Sequence, residues 1–281
     1  MNGIILNEGM SLWDGEPIVA ILTGISRPSS NPKTGDMLQV WILRSDMHPV
    51  EALKTGADQS ICGNCPHRLD EDNHRSCYVN IMAPSAIWRT YKAGKYGILT
   101  DDSVVRAWSS SSSRSRFIGQ SLDSIVRGRA VRIGAYGDPA MLPAHYWLNW
   151  FKSAGITTGY THMWDHIDPE YAKFCMASVD SEEEREKAQE LGYRTFRVLD
   201  KHEYPEAGNE IPCPASAEQG YSTTCNRCGL CDGSRADHSN RIPSITITVH
   251  GVGAKYFRIG DSPKEQGKET FIGKKESGLL D

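Results

Sequence analysis

The stretch from residue 130 to residue 164 decides the fold, and it reads AVRIGAY, GDPAML, PAHYWLNWFKSAG and ITTGYTHMW without interruption. The first and last blocks are apolar and β-branched and are bounded by turn residues, which is typical of strands. The block PAHYWLNWFKSAG begins with proline and ends with glycine, as a short helix does. A strand, a helix and a second strand in this order predict a parallel βαβ unit.

The same alternation continues on both sides of this unit. Ser181 followed by three glutamates and closed by Gly192 indicates a helix over 181–192. Strands are predicted at 39–45, 77–82, 173–179, 194–200 and 244–251, and further helices at 48–56 and 84–94. Repeated strand–helix alternation predicts an α/β fold, specifically a parallel, TIM-like (β/α) barrel that is either partial or full. We expect an irregular amino-terminal segment over 1–35, the barrel domain over 36–258 and a polar tail over 259–281.

Composition narrows the class of protein. The chain has 281 residues, of which 39% are hydrophobic and 23% are charged, as in an ordinary folded domain. No apolar run approaches the roughly 20 residues of a membrane-spanning helix, and the acidic amino terminus does not resemble a signal peptide, so we expect a cytoplasmic protein without membrane contacts. The net charge of -4 argues against indiscriminate binding to nucleic acid, but the arginine-rich segment 106–132 can form a local basic groove.

Eight cysteines in a cytoplasmic chain favour metal binding over disulfides. Seven of them fall into two groups, C-x2-C-x11-C in the loop 61–78 and C-x11-C-x2-C-x2-C in the loop 213–233. Two residues between cysteines let a tight turn aim both sulfur atoms at one centre. The predicted metal ligands are Cys62, Cys65 and Cys77 in the first group and Cys213, Cys225, Cys228 and Cys231 in the second. The eighth, Cys175, stands in the apolar run FCMASV and is expected to be a buried, inert thiol.

The first group leaves one ligand position undecided. Three thiolates can hold a centre that stays accessible to another molecule. His67, His74 or Cys175 can supply a fourth ligand instead, which would close the centre and make it structural.

Polar residues follow the predicted strands at the points where the strands end. The carboxyl ends of parallel strands converge on one face, so these residues are candidates for an active site. Asp138 and Asp180 each precede a helix and can instead act as helix caps. His162 and His166 are spaced like a pair of metal ligands on a helix. The predicted catalytic residues are Asp138, His162, Asp180 and His250.

The segment WSSSSSRSRF at 108–117 lies outside the strand–helix pattern. Its composition is typical of a polar, low-complexity loop, and its arginines give it a second interpretation as a loop that contacts phosphate groups.

GAYGDPAMLPAHYWLNWFKSAGITTGYTH resembles, in layout, the segment of radical S-adenosylmethionine enzymes in which a Gly-Glu-Pro-type motif ends a strand. The resemblance implies a four-iron cluster on the first cysteine group, although that family has the spacing C-x3-C-x2-C. It also implies a second, auxiliary cluster on the CxxC-rich group. The residues that would seat S-adenosylmethionine are Tyr136, Gly137, Asp138 and Pro139, with aspartate where the motif has glutamate.

CGNCPHR, CYVN and CNRCGLC are also similar to segments of bacteriophage proteins, which implies the cytoplasm of a host cell. Together these features favour an iron–sulfur enzyme of the radical S-adenosylmethionine type that acts on a nucleic-acid base or a nucleotide.

Two alternatives use zinc. One is a base-exchanging enzyme of the tRNA-guanine transglycosylase type acting on DNA or RNA, with Asp138, Asp180 or Asp200 as nucleophile. Its zinc would be held by Cys225, Cys228 and Cys231 together with His238 or His250. The other is a nucleic-acid-binding protein stabilised by zinc. The sequence does not determine the oligomeric state.

Overall fold

The computed structural model describes residues 2–100, 103–109, 116–234 and 243–257. Within them the chain is a mixed α/β fold of thirteen strands and seven α-helices. The strands are β1 (Gly3–Met10), β2 (Pro17–Thr23), β3 (Leu38–Arg44), β4 (Gly97–Leu99), β5 (Val104–Ser109), β6 (Arg116–Ser121), β7 (Ala130–Tyr136), β8 (Ile156–Thr158), β9 (Tyr160–Thr161), β10 (Met176–Val179), β11 (Thr195–Leu199), β12 (Glu210–Pro212) and β13 (Ser244–Thr248). The helices are α1 (Pro49–Thr55), α2 (Gln59–Cys62), α3 (Met82–Lys92), α4 (Leu122–Val126), α5 (Ala144–Trp150), α6 (Glu182–Glu190) and α7 (Cys225–Cys228).

The first sheet has eight strands in the order β6-β5-β4-β1-β2-β3-β7-β8. Its centre is antiparallel, whereas β3, β7 and β8 run parallel at one side. The residues of β2 from Ile18 to Leu22 have no exposed surface, which fits a continuous apolar run in the middle of a covered sheet. The amino-terminal 35 residues, which we expected to be irregular, therefore contribute two regular strands to the core.

The second sheet has five strands in the order β12-β13-β11-β10-β9, and every pair in it is parallel. Only Gly159 separates β8 in the first sheet from β9 in the second. A Cβ atom at this glycine would lie 2.8 Å from the Sγ of Cys175, so glycine lets the chain pass close to that buried thiol. The parallel order β3, β7, β8, β9, β10, β11, β13 thus continues across both sheets.

The described strands do not close into a barrel. They form two sheets, so the full, closed version of the predicted TIM-like barrel is not observed. The coarser prediction of an α/β fold with parallel strands is confirmed.

The predicted strand over 77–82 is wrong. Arg75 donates hydrogen bonds to the carbonyls of Cys77 and Val79, at 3.3 and 2.9 Å, which draws this segment into the loop before α3. Tyr78 is 63% exposed instead of packing on a sheet. The apolar composition of CYVNIM therefore misled the strand prediction.

Helix ends follow the local signals in the sequence. α6 begins after Ser181, whose hydroxyl accepts the N–H of Glu184, and α1 ends at Gly56 in the left-handed conformation. None of the described helices combines the length and the apolar character that crossing a bilayer requires.

Candidate metal centres and active site

The first cysteine group begins in a turn that packs against the end of β9. α2 ends at Cys62, and Gly63 then adopts a φ of +57°, which redirects the chain before Cys65. A Cβ atom at Gly63 would lie 2.5 Å from the Sδ of Met163, so both the backbone conformation and the neighbour require glycine. The N–H of Cys65 donates to the carbonyl of Cys62 at 3.3 Å and closes the turn.

The third cysteine returns to the first two through the backbone. The N–H of Cys77 donates to the carbonyl of His67 at 3.0 Å, so the eleven-residue connection folds back on itself. Burial raises the pKa of the Cys62 thiol, and the nearby thiols of Cys65 and Cys77 raise it further. The three sulfur atoms are therefore electrostatic neighbours in one buried region.

An ion pair anchors this cysteine loop to α2. The Nε and one Nη of Arg68 donate to Oδ1 of Asp58 at 3.0 and 2.7 Å, and the same Nη reaches the carbonyl of Gly56 at 2.6 Å. Asp58 is buried, so its charge depends on this partner. Asp58 precedes the C-x2-C turn and Arg68 follows it, so their ion pair holds the two ends of the turn together.

Two buried polar atoms beside the first cysteine group have no hydrogen-bond partner: Oη of Tyr136 and Oδ1 of Asn64. Burial raises the pKa of Tyr136, and the thiol of Cys62 raises it further, which places the phenol against the cysteines. Asn64 belongs to the C-x2-C turn itself. Buried polar atoms without partners are uncommon, and these two are available to a bound group.

Three titratable side chains lie next to these cysteines. His67, His162 and Asp180 bring one ligand atom each within 4.8 Å of one another. The Nε2 of His67 is 3.2 Å from both carboxylate oxygens of Asp180, and its Nδ1 is 2.8 Å from Oγ of Ser76. The rings of His67 and His162 meet edge to face with centroids 5.1 Å apart. Two imidazoles and one carboxylate can bind a transition metal or can relay protons.

The end of β10 explains why Asp180 belongs to this group. Ser181 caps α6, and the side chain of Glu184 accepts the backbone N–H of Asp180 at 2.9 Å, in an arrangement close to a capping box. The carboxylate of Asp180 is therefore not used as the helix cap, which was its alternative role. Burial raises the pKa of the Cys65 thiol most, the thiol of Cys77 raises it next, and the charge of Asp180 adds a smaller rise.

Asp138 joins the ends of two strands. Its Oδ1 accepts the N–H of Ala140 at 2.9 Å and caps the 3₁₀ turn Pro139–Met141, and its Oδ2 accepts the backbone N–H of His162 at 2.9 Å. The N–H of Asp138 donates to the carbonyl of Ile61 at 2.7 Å. Asp138 thus positions His162 and the cysteine loop from inside the fold.

The buried carboxyl of Asp138 predicts a stability change with pH. Burial raises its pKa to about 6, although hydrogen bonds from Ala140 and His162 oppose the rise. Between about pH 4 and about pH 6 the folded chain keeps a proton that the unfolded chain has released, so stability falls as pH rises. About two pKa units correspond to about 3 kcal/mol.

Urea unfolding of the wild type and of Asp138→Asn checks this expectation. The stability of the wild type relative to the variant should fall by about 3 kcal/mol over that pH range. Asp168→Asn is the matched control, because Asp168 caps the turn Pro169–Lys173 in the same way but is exposed. A wild-type-to-variant difference that does not change with pH would contradict the expectation.

The three candidates for a fourth ligand of the first centre interact elsewhere. His67 contacts Ser76 and Asp180, as described above. His74 stacks on Tyr256 with centroids 4.5 Å apart and lies 3.6 Å from Asp70. Cys175 is fully buried beneath Gly159, where burial raises its pKa.

The second cysteine group converges on one cavity. The N–H of Cys213 donates to the carbonyl of Thr246 at 2.8 Å, and the N–H of Cys225 donates to the carbonyl of Lys33 at 2.9 Å. Cys228 and Cys231 follow on and after α7. All four cysteines line the cavity, together with Pro214, Ala215, Leu230 and Ile245. Four thiols with apolar walls form a suitable enclosure for a metal centre.

The described cysteine sulfur atoms are not gathered tightly around a single point. Among the described residues, no trio of cysteine sulfur atoms lies within 4.8 Å of one another. Thiolates around one zinc ion, each at about 2.3 Å from it, would stand about 3.8 Å apart. A four-iron cluster keeps its ligand sulfur atoms farther apart, because the inorganic atoms occupy the centre. A single zinc ion would therefore require the sulfur atoms to move closer together.

Other predicted site residues lie away from this group. Nδ1 of His250 is 2.9 Å from the carbonyl of Thr248, and its Nε2 is 3.6 Å from Glu218. The carboxylate of Asp200 accepts the N–H of His202 after β11. His238, the tail 259–281 and most of the serine- and arginine-rich segment 108–117 lie outside the described residues.

One residue whose position the sequence analysis did not specify is Arg132, at the end of the arginine-rich segment 106–132 and in the middle of β7. It contacts Tyr78 and influences cysteines of both groups. The alternation in AVRIGAY places Arg132 on the same face as Tyr136. A charged residue within this apolar strand was the feature of the sequence that could have identified Arg132 as a functional residue.

Comparison with known proteins adds no relative: no protein-family model, no curated protein and no solved structure matches the chain.

Proposed function

We propose that the chain is an iron–sulfur enzyme of the radical S-adenosylmethionine type that acts on a nucleic-acid base or a nucleotide. One observation carries the proposal: the loop of Cys62, Cys65 and Cys77 lies against His67, His162 and Asp180 at the ends of neighbouring parallel strands. Three thiolates beside proton-carrying side chains suit a centre that reacts, since a purely structural centre does not require them.

The protein groups around the first centre fit a cluster with one open iron. The other partners of the candidate fourth ligands His67 and His74 and the partnerless Tyr136 hydroxyl favour this assignment. The four thiols and apolar walls of the second cavity favour a fully ligated cluster there.

The finer prediction of a partial barrel agrees with the strand order. β3, β7, the continuous pair β8 and β9, β10, β11 and β13 follow one another in parallel. In such an arrangement the carboxyl ends share one rim, which is where the first cysteine group lies. We infer an open (β/α) half-barrel with the reactive centre at its rim.

When bound, the cluster and S-adenosylmethionine would supply one-electron chemistry to the substrate. Asp180 holds the Nε2 of His67, and Ser76 holds its Nδ1, so this imidazole is oriented to accept or donate a proton at the rim. Asp138 fixes the backbone of His162 beside it.

The segment from Tyr136 to Pro139 offers fewer free groups for binding S-adenosylmethionine than the resemblance implies. The carboxylate and N–H of Asp138 are hydrogen-bonded within the fold, and the carbonyl of Pro139 accepts the indole N–H of Trp147 at 3.0 Å. The hydroxyl of Tyr136 is the group of this segment that is free to contact the cofactor.

A second candidate function follows from the His67, His162 and Asp180 group alone. Two histidines and one carboxylate form the ligand set of mononuclear iron enzymes and can also hold zinc. The protein would then use an ion at this group, and the cysteine groups would be structural.

The zinc-based alternatives, a base-exchanging enzyme and a nucleic-acid-binding protein, rank below the iron–sulfur proposal. The C-x2-C-x2-C run of the second group departs from the C-x-C-x2-C spacing of the transglycosylase zinc site, and a zinc-stabilised binding protein does not require the His67, His162 and Asp180 group.

Anaerobic purification of the full chain tests the proposed function. We expect a brown protein with about eight irons per chain, enough for two four-iron clusters. The electron paramagnetic resonance spectrum of the reduced protein should change on addition of S-adenosylmethionine, and reductant should drive consumption of that cofactor. A colourless protein with stoichiometric zinc contradicts the proposal. A single ion that is lost in His67→Ala but kept in Cys62→Ser supports the mononuclear alternative.

A further inference from the structure

Arg132 lies between the two cysteine groups. One of its Nη atoms donates to Oη of Tyr78 at 2.6 Å, and Tyr78 directly follows Cys77. On its other side, Arg132 pairs in the sheet with Thr158, which lines the cavity of the second group. The guanidinium therefore occupies the space that separates the two proposed centres.

The electrostatic effects agree with this position. Burial raises the pKa of Cys77 and of Cys225, and the charge of Arg132 opposes the rise at both. Burial alone would lower the pKa of Arg132. The phenols of Tyr78 and Tyr160 and the thiol of Cys225 outweigh burial, so the guanidinium stays charged.

The charge of Arg132 has no carboxylate to balance it among the described residues. The deeply buried arginines each pair with at least one carboxylate, and they are Arg44, Arg185, Arg194 and Arg197. In addition, the Nε of Arg132 is buried without any hydrogen-bond acceptor. A cation with an unused donor is stabilised when an oxyanion reaches it.

Solvent reaches this region through Tyr78. That side chain is 63% exposed and its ring lies 5.9 Å from the guanidinium carbon of Arg132. The phenol of Tyr160 lines the cavity of the second group and also raises the pKa of Arg132. An incoming ligand would therefore meet two phenols and one guanidinium.

We propose that Arg132 anchors an anionic group of the substrate, the phosphate of a nucleotide, in the space between the two cysteine groups. This inference rests on the proposed function, because it assigns a substrate contact to that enzyme. The planar donors of a guanidinium match phosphate oxygens in pairs, and phosphate offers more acceptors to the surrounding phenols than a carboxylate does.

Inorganic phosphate is the probe for the test, titrated by calorimetry into the full chain with its centres assembled. We expect one bound phosphate per chain and a loss of at least about tenfold in affinity for Arg132→Gln, with Arg132→Lys in between. Tyr78 is exposed, and Tyr78→Phe removes the hydrogen bond between its hydroxyl and Arg132. The guanidinium is then held less firmly, so phosphate binding should also weaken. Arg127→Gln removes one charge from an exposed ion pair with Asp123 and should leave the affinity unchanged.

Two results would overturn the inference. One is phosphate binding with equal affinity in the wild type and Arg132→Gln, or no phosphate binding to the wild type. The other is an Arg132→Gln variant with a shifted midpoint potential of the centres and unchanged phosphate affinity, which would make Arg132 a counter-charge for the thiolates. Acetate in a parallel titration separates phosphate from carboxylate recognition, and tighter binding of acetate than of phosphate would contradict the phosphate assignment. Iron content, measured on the same samples, reports separately on the proposed function.

Discussion

Serine at Cys62, Cys65 or Cys77 is expected to abolish consumption of S-adenosylmethionine and to remove about half of the bound iron. A cluster held by three thiolates has no spare protein ligand, so the protein no longer binds the cluster stably once one thiolate is lost. Each variant should keep the electron paramagnetic resonance signal of the second centre. Cys228→Ser should have the opposite effect and keep only the signal of the first centre.

Cys175→Ala is the matched control for these variants. Its thiol is fully buried beneath Gly159, whereas the three cysteines of the first group are partly exposed, and it belongs to neither group. We expect full iron content and a loss of stability on the order of 1 kcal/mol from the small cavity. Unchanged iron content in all three variants of the first group would show that they hold no centre.

Local features of the sequence explain why much of the fold could be predicted. The strand 130–136, the helix after Ser181 and the turn at Gly56 each depend on residues within one or two turns of themselves. Of the two amino-terminal strands, β2 has a local signal in the apolar, β-branched run 17–23, whereas the limits and pairing of β1 are set by long-range contacts. β1 pairs with β2 through a bulge between Ile5 and Asn7, and no local pattern encodes that partnership.

The sequence predicted the proximity of the site residues that follow neighbouring strands, but not the position of the residue that follows a distant strand. Asp138, His162 and Asp180 follow β7, β9 and β10, which lie side by side because β8 and β9 form one continuous run. Asp138 accordingly accepts the backbone N–H of His162, and the side chains of His162 and Asp180 meet at His67. His250 follows β13, two strands beyond β10, and interacts with Glu218 instead. The rule that strand ends converge holds for adjacent strands, and adjacency is a property of the fold that the sequence alone did not supply.

The position of the first cysteine group depends on contacts with strands that are distant in sequence. Its C-x2-C turn rests on Met163 after β9, and Ile61 beside it accepts the N–H of Asp138 after β7. The spacing between the cysteines therefore predicts that this loop can bind a metal, whereas the position of the loop at the strand ends required the packed structure.

Gly137→Ala is expected to cost about 2 to 4 kcal/mol of stability and to reduce the iron in the first centre. Gly137 has a φ of +80°, and a Cβ atom there would lie 2.7 Å from Cβ and 2.8 Å from the carbonyl oxygen of Ile42. It would also lie 3.2 Å from the carbonyl oxygen of Ile61, the residue before Cys62. The left-handed backbone costs about 1 kcal/mol and overpacking about 1–3 kcal/mol more.

Gly94→Ala separates these two causes. Gly94 has a φ of +64°, but no heavy atom lies within 4 Å of where its Cβ would be. Urea unfolding should therefore show a loss of only about 1 kcal/mol, with full iron content. Equal losses of stability in the two variants would mean that β3 and the cysteine loop yield to the added methyl group. Because the clash at Gly137 pushes on the backbone next to Cys62, its effect on iron binding measures how firmly the fold sets the geometry of the first centre.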